Sequence, residues 1–294
     1  MSKKPILAMA APALAALVAL AAGGPAAANA ASAASAAGKA ATTASASCAT
    51  SKLALHTAGV LTVATDTPAY PPYFENNKPA NGKGFESAVA YAVAKQLGFG
   101  PSKVKWVVEP FDSSYAPGPK SFDFDINEIS ITPARAKAVS FSTPYYTNPQ
   151  AIIVYRSSPL AHAKSLAAFK KAKIGVQVGT TSLSAVNQRI KPSAQPSVYN
   201  TSSDVVEALK VHQVDAIVVD YATALYLTSA EIKKSTIAGQ FTAPGGDNWG
   251  LLLKKGSALT PCVDKAMAKL KANGTLARLT RQWMSSKVAV PVLK

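Results

Sequence analysis

Much of the usual catalytic vocabulary is absent from this 294-residue chain. It has three histidines, His56, His162 and His212, too scattered to assemble a nucleophile–histidine–acid set or a metal site. The glycine turn "VGTTS" lacks the lysine-serine/threonine pair of a Walker loop. Beyond the N-terminal region no stretch reaches about 18 uninterrupted apolar residues, so no second membrane-spanning helix is expected. No tandem repeat of the solenoid kind is present. Acids are scarce too: 15 Asp and Glu face 31 Lys and Arg, a formal charge of +16. That excess suggests nucleic acid, but the basic residues are dispersed, without a basic run or interleaved aromatics. No nucleic-acid partner is expected.

What is present begins with an export pattern. "MSKK" is a short basic start, "PILAMAAPALAALVALAA" an apolar run, and "AAANA", ending at Ala30, a small-residue cleavage site. Residues 1–30 thus read as a signal peptide, and removal is favoured over retention as an anchor because no charged stop-transfer segment follows. Lys3 and Lys4 leave with it, lowering the charge to about +14. A cationic surface on an exported protein suits contact with anionic envelope polymers or lipids. Residues 31–52, rich in Ala, Ser and Thr, have no large apolar side chains to bury and read as a tether, with folding starting near Leu53. The two cysteines, Cys48 and Cys262, favour one disulfide over free thiols in an oxidising compartment. Lipidation of Cys48 is a third reading, weakened because the preceding "SAS" has no large aliphatic residue.

Strand and helix signals then alternate. "VLTVATD", "KVKWVVE" and "FDFDINEISI" read as strands. "GFESAVAYAVAKQLGFG" is a helix with apolar residues at helical spacing and a glycine stop, and "PARAKAV" is a short helix opened by Pro133. A second set follows: strands "AIIVYR", "KIGVQVG" and "VDAIVVD" among helices "SLAAFKKA", "SLSAVNQRI" and "SSDVVEALKVH". "NWGLLLKKGS" returns as a strand before two closing helices. This order implies an α/β protein of two lobes with largely parallel sheets, the chain crossing between them twice.

Ligands of open α/β sheets bind beyond the carboxyl ends of the strands. Three features stand there. "VQVGTTS" ends a strand at a helix start, which suits an anion or, more commonly, a plain N-cap by Thr180 or Thr181. Asp220 follows a buried-looking strand; it either caps the helix starting at Tyr221 or faces an ammonium. Arg135 is either exposed surface charge or a planar fork for a carboxylate. An α-amino acid carries both a carboxylate and an ammonium on one carbon.

From about residue 53 onward the chain resembles the extracytoplasmic solute-binding proteins of polar-amino-acid ABC importers, bacterial solute-binding protein family 3. The likeness rests on "LTVATDTPAYPPYFE", "GKGFESAVAYAVAKQLGF", "FDFDINEISITPARAKAVSFSTPYY", "GVQVGTTS", "VDAIVVDY" and "NGTLARLTRQW", in that order. It implies a two-lobed, type II periplasmic-binding-protein fold hinged on two crossover strands. Lobe one would span 53–146 and 248–294, and lobe two 147–247. It also implies that Arg135 and the Thr181 amide take the ligand carboxylate, and Asp220 its ammonium. Ser130 would lie near both groups, Tyr70 and Phe111 would flank the ligand side chain, and Gln177 would border its pocket. Glu128 departs from the family, which usually has a small residue there. It either meets the cationic side chain of a basic ligand or pairs with a neighbouring Lys or Arg. Cys48 and Cys262 can meet on lobe one.

The resemblance implies a monomer, exported, without cofactor or metal, that captures a free amino acid and delivers it to a membrane permease. The alternative on the same fold is an exported cyclohexadienyl dehydratase-like enzyme, with Glu128 as acid. A third is an envelope-adhesion protein with an unused cleft.

Overall fold

The structure, a computed structural model, describes residues 47–284 and 289–294. The proposed signal peptide and most of the tether lie outside those residues. Among the described residues no helix is long and apolar enough to cross a membrane.

The first half of the chain builds one sheet. Strand β1 (Leu61–Thr65) leads through a proline-rich loop to α1 (Phe85–Gln96), followed by β2 (Val104–Val108), the single turn α2 (Phe111–Ser114) and β3 (Phe124–Asp125). Next come α3 (Pro133–Ala138), β4 (Val139–Phe141) and the short β5 (Tyr146–Thr147). The second half continues through β6 (Gln150–Tyr155), β7 (Ile174–Gln177), α4 (Thr181–Ala185), β8 (Ser197–Tyr199), α5 (Ser202–Lys210), β9 (Ala216–Asp220), α6 (Tyr221–Tyr226) and β10 (Ser235–Phe241). It returns by β11 (Asn248–Trp249) and β12 (Leu252–Lys254) to α7 (Thr260–Ala272) and α8 (Thr275–Trp283).

These strands form two five-stranded sheets, ordered β2-β1-β3-β12-β4 and β10-β6-β9-β7-β8. Within them β1 runs parallel to β2 and β3, and β7 parallel to β8 and β9. The strands carrying the chain between lobes, β6, β10 and β12, pair antiparallel. β5 and β11 form a separate antiparallel pair at the crossing, matching Tyr146 with Trp249. Trp249 is fully buried there, within ring contact of Tyr73, Tyr145 and Tyr146. Each sheet is apolar on both faces, as central parallel strands require.

Three expectations change. Strand "FDFDINEISI" shrinks to Phe124–Asp125; beyond it Glu128 takes a left-handed backbone, φ +48°, and Ser130 makes only an isolated bridge to Trp249. The folded part starts before Leu53: Cys48 is bonded to Cys262 of α7, and Thr50 Oγ1 donates to the Leu97 carbonyl at 2.9 Å, which fixes the end of the tether. Last, the chain's end belongs to lobe two instead of lobe one. Val292 bridges Gln240 of β10, Leu293 N–H donates to the Gln240 carbonyl, and the Leu293 side chain is buried in the lobe-two core. Gly239 permits this close approach, since a Cβ there would stand 2.3 Å from Leu293.

Candidate functional site

A cavity of about 350 Å³ lies between the lobes. Its walls come from the segments following β1, β2, β3, β7, β8 and β9, the carboxyl ends of strands in both sheets. Tyr70, Phe111, Glu128 and Ser130 line it from lobe one; Gln177, Thr181 and Asp220 line it from lobe two. The lobes also touch directly. Tyr70 and Ser203 hydroxyls are 2.5 Å apart, Tyr73 and Thr223 hydroxyls 2.9 Å, and Ser130 and Thr181 hydroxyls 3.3 Å.

Arg135 is placed by α3. Thr132 caps that helix by accepting from the Arg135 backbone N–H, and Pro133 begins it. The side chain is 8% exposed, so it is not ordinary surface charge. Its guanidinium stands 4.5 Å from the Tyr115 ring centre and 5.3 Å from that of Phe111. Nη1 donates to the Ser130 carbonyl at 2.8 Å and Nη2 to the Gly179 carbonyl at 3.1 Å, linking the lobes. Arg135 does not line the cavity wall; it sits behind Ser130 and against Phe111, both of which do. Gly179 has φ +71°, and a Cβ there would meet the Tyr115 hydroxyl at 2.3 Å, so this turn requires glycine.

The helix start after β7 is capped by Thr180, which accepts from Leu183 N–H at 3.2 Å. That leaves the Thr181 side chain facing Ser130 and the cavity. Asp220 resolves differently from a cap: its side chain makes no capping bond to α6. Its Oδ1 accepts instead from Gln150 Nε2 at 2.7 Å, and the same amide donates to Asp247 Oδ2 at 2.6 Å. Gln150 Oε1 accepts from Ser182 at 2.6 Å, while Asp247 Oδ1 accepts from Ser130 at 3.1 Å. Burial, and then the neighbouring Asp247 carboxylate, push Asp220 up to about 8.

Gln150 and Asp247 were not singled out from the sequence. Both are buried polar residues on the crossing segments, 0% and 1% exposed. The available signal was a polar side chain flanking each crossover, which only becomes meaningful once both crossovers are adjacent.

Glu128 lines the cavity, and its backbone N–H donates to Glu86 Oε1 at 2.8 Å. No Lys or Arg pairs with it; both ion pairs among the described residues belong to Lys210. The reading in which Glu128 is neutralised by a basic neighbour is therefore corrected. Burial, reinforced by Glu86, Asp66 and Asp220, holds its carboxyl well above the usual carboxylate range. Asp66, also on the wall, is pushed up to about 6 by burial, which the Asn127 amide beside it partly offsets. Asp66, Asp112, Glu128 and Asp220 line the cavity, four of only 15 acids in a strongly cationic chain, with Glu86 and Asp247 hydrogen-bonded behind wall residues. Among the described residues no group of His, Cys, Asp and Glu is arranged to hold a metal.

This cleft between two α/β lobes, lined by hydroxyl, aromatic and carboxyl side chains, has the build of a small-molecule trap. The chain belongs to the bacterial extracellular solute-binding proteins, family 3, whose profile matches residues 61–286. It is similar to the L-cystine-binding protein TcyJ of Escherichia coli strain K12, 28% identical over 74% of this chain and 80% of that one. Among solved structures it is similar to an ancestral arginine-binding protein bound to arginine, 33% identical over 77% of this chain and 99% of that one, TM-score 0.65. It is also similar to the ancestral amino acid-binding protein AncCDT-1, a precursor of cyclohexadienyl dehydratase, 29% identical over 77% and 96%, TM-score 0.64. These names describe binding proteins and one precursor of an enzyme.

Proposed function

We propose that this protein is exported, captures a cationic amino acid as a monomer and hands it to the permease of an ABC importer, performing no chemistry. The observation that carries this reading is the cavity's polar lining, with Asp220 and Ser130 on its wall, Arg135 directly behind Ser130, and a Glu128 carboxyl on the wall that no Lys or Arg neutralises. Asp220 meets the α-ammonium. Arg135 has five N–H donors, and those not engaged by Ser130 and Gly179 reach the α-carboxylate beside the Thr181 amide. Tyr70 and Phe111 flank the aliphatic part of the side chain, Gln177 borders it, and Glu128 takes its cationic head. A ligand that touches both lobes favours the shut state and so shifts the open–closed population.

Titration calorimetry with the twenty amino acids and ornithine tests this. Arginine, lysine or ornithine binds, and glutamate does not. Arg135→Ala weakens binding by about 3–5 kcal/mol, because the ligand carboxylate loses a desolvated partner. Selective binding of a neutral amino acid would overturn the cationic assignment, and unchanged affinity in Arg135→Ala would remove Arg135 from the site.

A further inference from the structure

Behind Glu128 lies a second carboxyl that the sequence did not flag. Glu86, in the first turn of α1, is 0% exposed amid the apolar core of lobe one and does not line the cavity. Its Oε1 accepts from the Glu128 backbone N–H and from the Tyr145 hydroxyl. Its Oε2 has no N–H or O–H partner. The carboxyl of Glu128, whose own backbone N–H is bound to Oε1, lies within hydrogen-bonding reach of the Glu86 carboxyl. Two carboxylates offer each other only lone pairs, so such a bond exists only when one of them carries a proton.

The surroundings supply no alternative neutralisation. Facing the pair are Asp66 after β1, Tyr73 before α1, Asp125 on β3, Tyr145 before β5 and Asp220 at the end of β9. All are acids, and no lysine or arginine forms an ion pair with either glutamate. Two desolvated carboxyls this close do not both ionise near neutral pH; they titrate as a unit. Burial pushes Glu86 up to about 7, while its hydrogen bonds from Glu128 and Tyr145 limit the rise.

We infer that Glu86 and Glu128 share one proton in the ligand-free protein, and that the cationic head of the bound amino acid takes that proton's place. The inference rests on the cationic reading of the ligand. On binding, the O–H···O⁻ bridge opens, the proton passes to the buffer, and the ammonium or guanidinium lies against Glu128. The site gives up one positive charge and takes in another. Glu128 touches the ligand, whereas Glu86 is a positioning residue that acts through Glu128, holding both its backbone and its carboxyl. The pair discriminates against neutral side chains, which cannot replace the proton. Because protons compete with the ligand, affinity for a cationic amino acid rises with pH, by at most about tenfold per unit while the pair is protonated.

Calorimetric titration of the full chain at pH 7, in buffers of different ionisation enthalpy, counts the protons released. L-arginine is compared with L-citrulline, its neutral near-isostere. Any proton displaced from Asp220 by the α-ammonium is common to both, so the difference reports the glutamate pair. The expected difference is about one proton. Glu128→Gln and Glu86→Gln each bring arginine's release down to the citrulline value; where citrulline does not bind, arginine with Glu128→Gln supplies the baseline. Arginine that binds the wild type yet releases no more protons than that baseline overturns the inference and leaves the proposed function standing. Citrulline binding without arginine binding overturns the cationic reading itself, and the inference with it. Should the Glu86 variant fail to fold, the wild-type comparison with citrulline, or with Glu128→Gln, still decides.

Discussion

Glu128 combines two unfavourable features at one position. A non-glycine residue in the left-handed region costs roughly 1–2 kcal/mol, and a buried carboxyl resists ionisation. Such a concentration of cost at one cavity-lining residue agrees with the ligand contact proposed for it. The carboxyls around it make stability depend on pH with a definite sign. Asp66, Glu86 and Asp220 are pushed up to about 6, 7 and 8. Each therefore binds its proton more tightly in the folded chain than in the unfolded one. Between about pH 4 and about 8 the folded state holds more protons, so stability falls as pH rises across that window. Glu86 titrates together with Glu128, and burial of the pair acts in the same direction. Denaturant unfolding of the ligand-free protein from pH 5 to 8 should show a falling midpoint, with a shallower fall in Glu86→Gln. An unchanged midpoint would mean that these carboxyls ionise as if exposed. At this scale Arg135 and Asp220 could be singled out from the chain itself, and Glu128 from its departure from the family pattern. Glu86, Gln150 and Asp247 could not, because what matters about each is which side chain it meets across 42 to 97 positions.

Among elements, the last residues are the least expected. The family resemblance assigns everything after the second crossing to lobe one, and α7 and α8 do pack against α1 there. Residues 290–294 then return to β10. Gln240 N–H donates to the Pro291 carbonyl at 2.8 Å, its side chain donates to the Val290 carbonyl at 3.0 Å, and Leu166 N–H donates to the Lys294 carbonyl. Leu293, 2% exposed, fills the space above Gly239. Replacing it with alanine should destabilise the protein by about 2–4 kcal/mol through lost burial and the cavity left behind. Thermal unfolding would measure this, and an unaltered melting temperature would mean the tail is not docked in solution. Nothing in "VAVPVLK" announces a docking site: the apolar residues are legible, but their partner is a glycine fifty-four positions earlier. The short α4 was legible in part. Its Thr180 cap follows from residue chemistry, whereas the turn after it departs from regular helical winding at Val186–Ile190.

For the whole molecule, one covalent link joins the start of the described chain to its return. Cys48 and Cys262 are 214 residues apart in sequence, and closing so long a loop in the unfolded chain contributes at most about 4–5 kcal/mol by chain entropy. Denaturant unfolding of Cys48→Ser beside the wild type, both without reductant, should lower the midpoint accordingly. Equal midpoints would show that the bridge adds nothing. The molecule's charge is also unevenly distributed. A chain of formal charge +16 places four of its 15 acids on the wall of one cavity.

The sequence determined the two α/β lobes and the family, and through the family resemblance it named seven residues that line the cleft. Hydrophobic periodicity and the residues at strand ends are local properties, and in this fold strand ends converge on one cleft. Only the folded chain decided that Asp220 leaves its helix uncapped to join Gln150 and Asp247, that Glu128 meets Glu86 instead of a lysine, and that the tail lies on lobe two. Those outcomes depend on desolvation and on contacts between residues far apart in sequence, and a buried carboxyl takes its protonation from neighbours that no local pattern specifies.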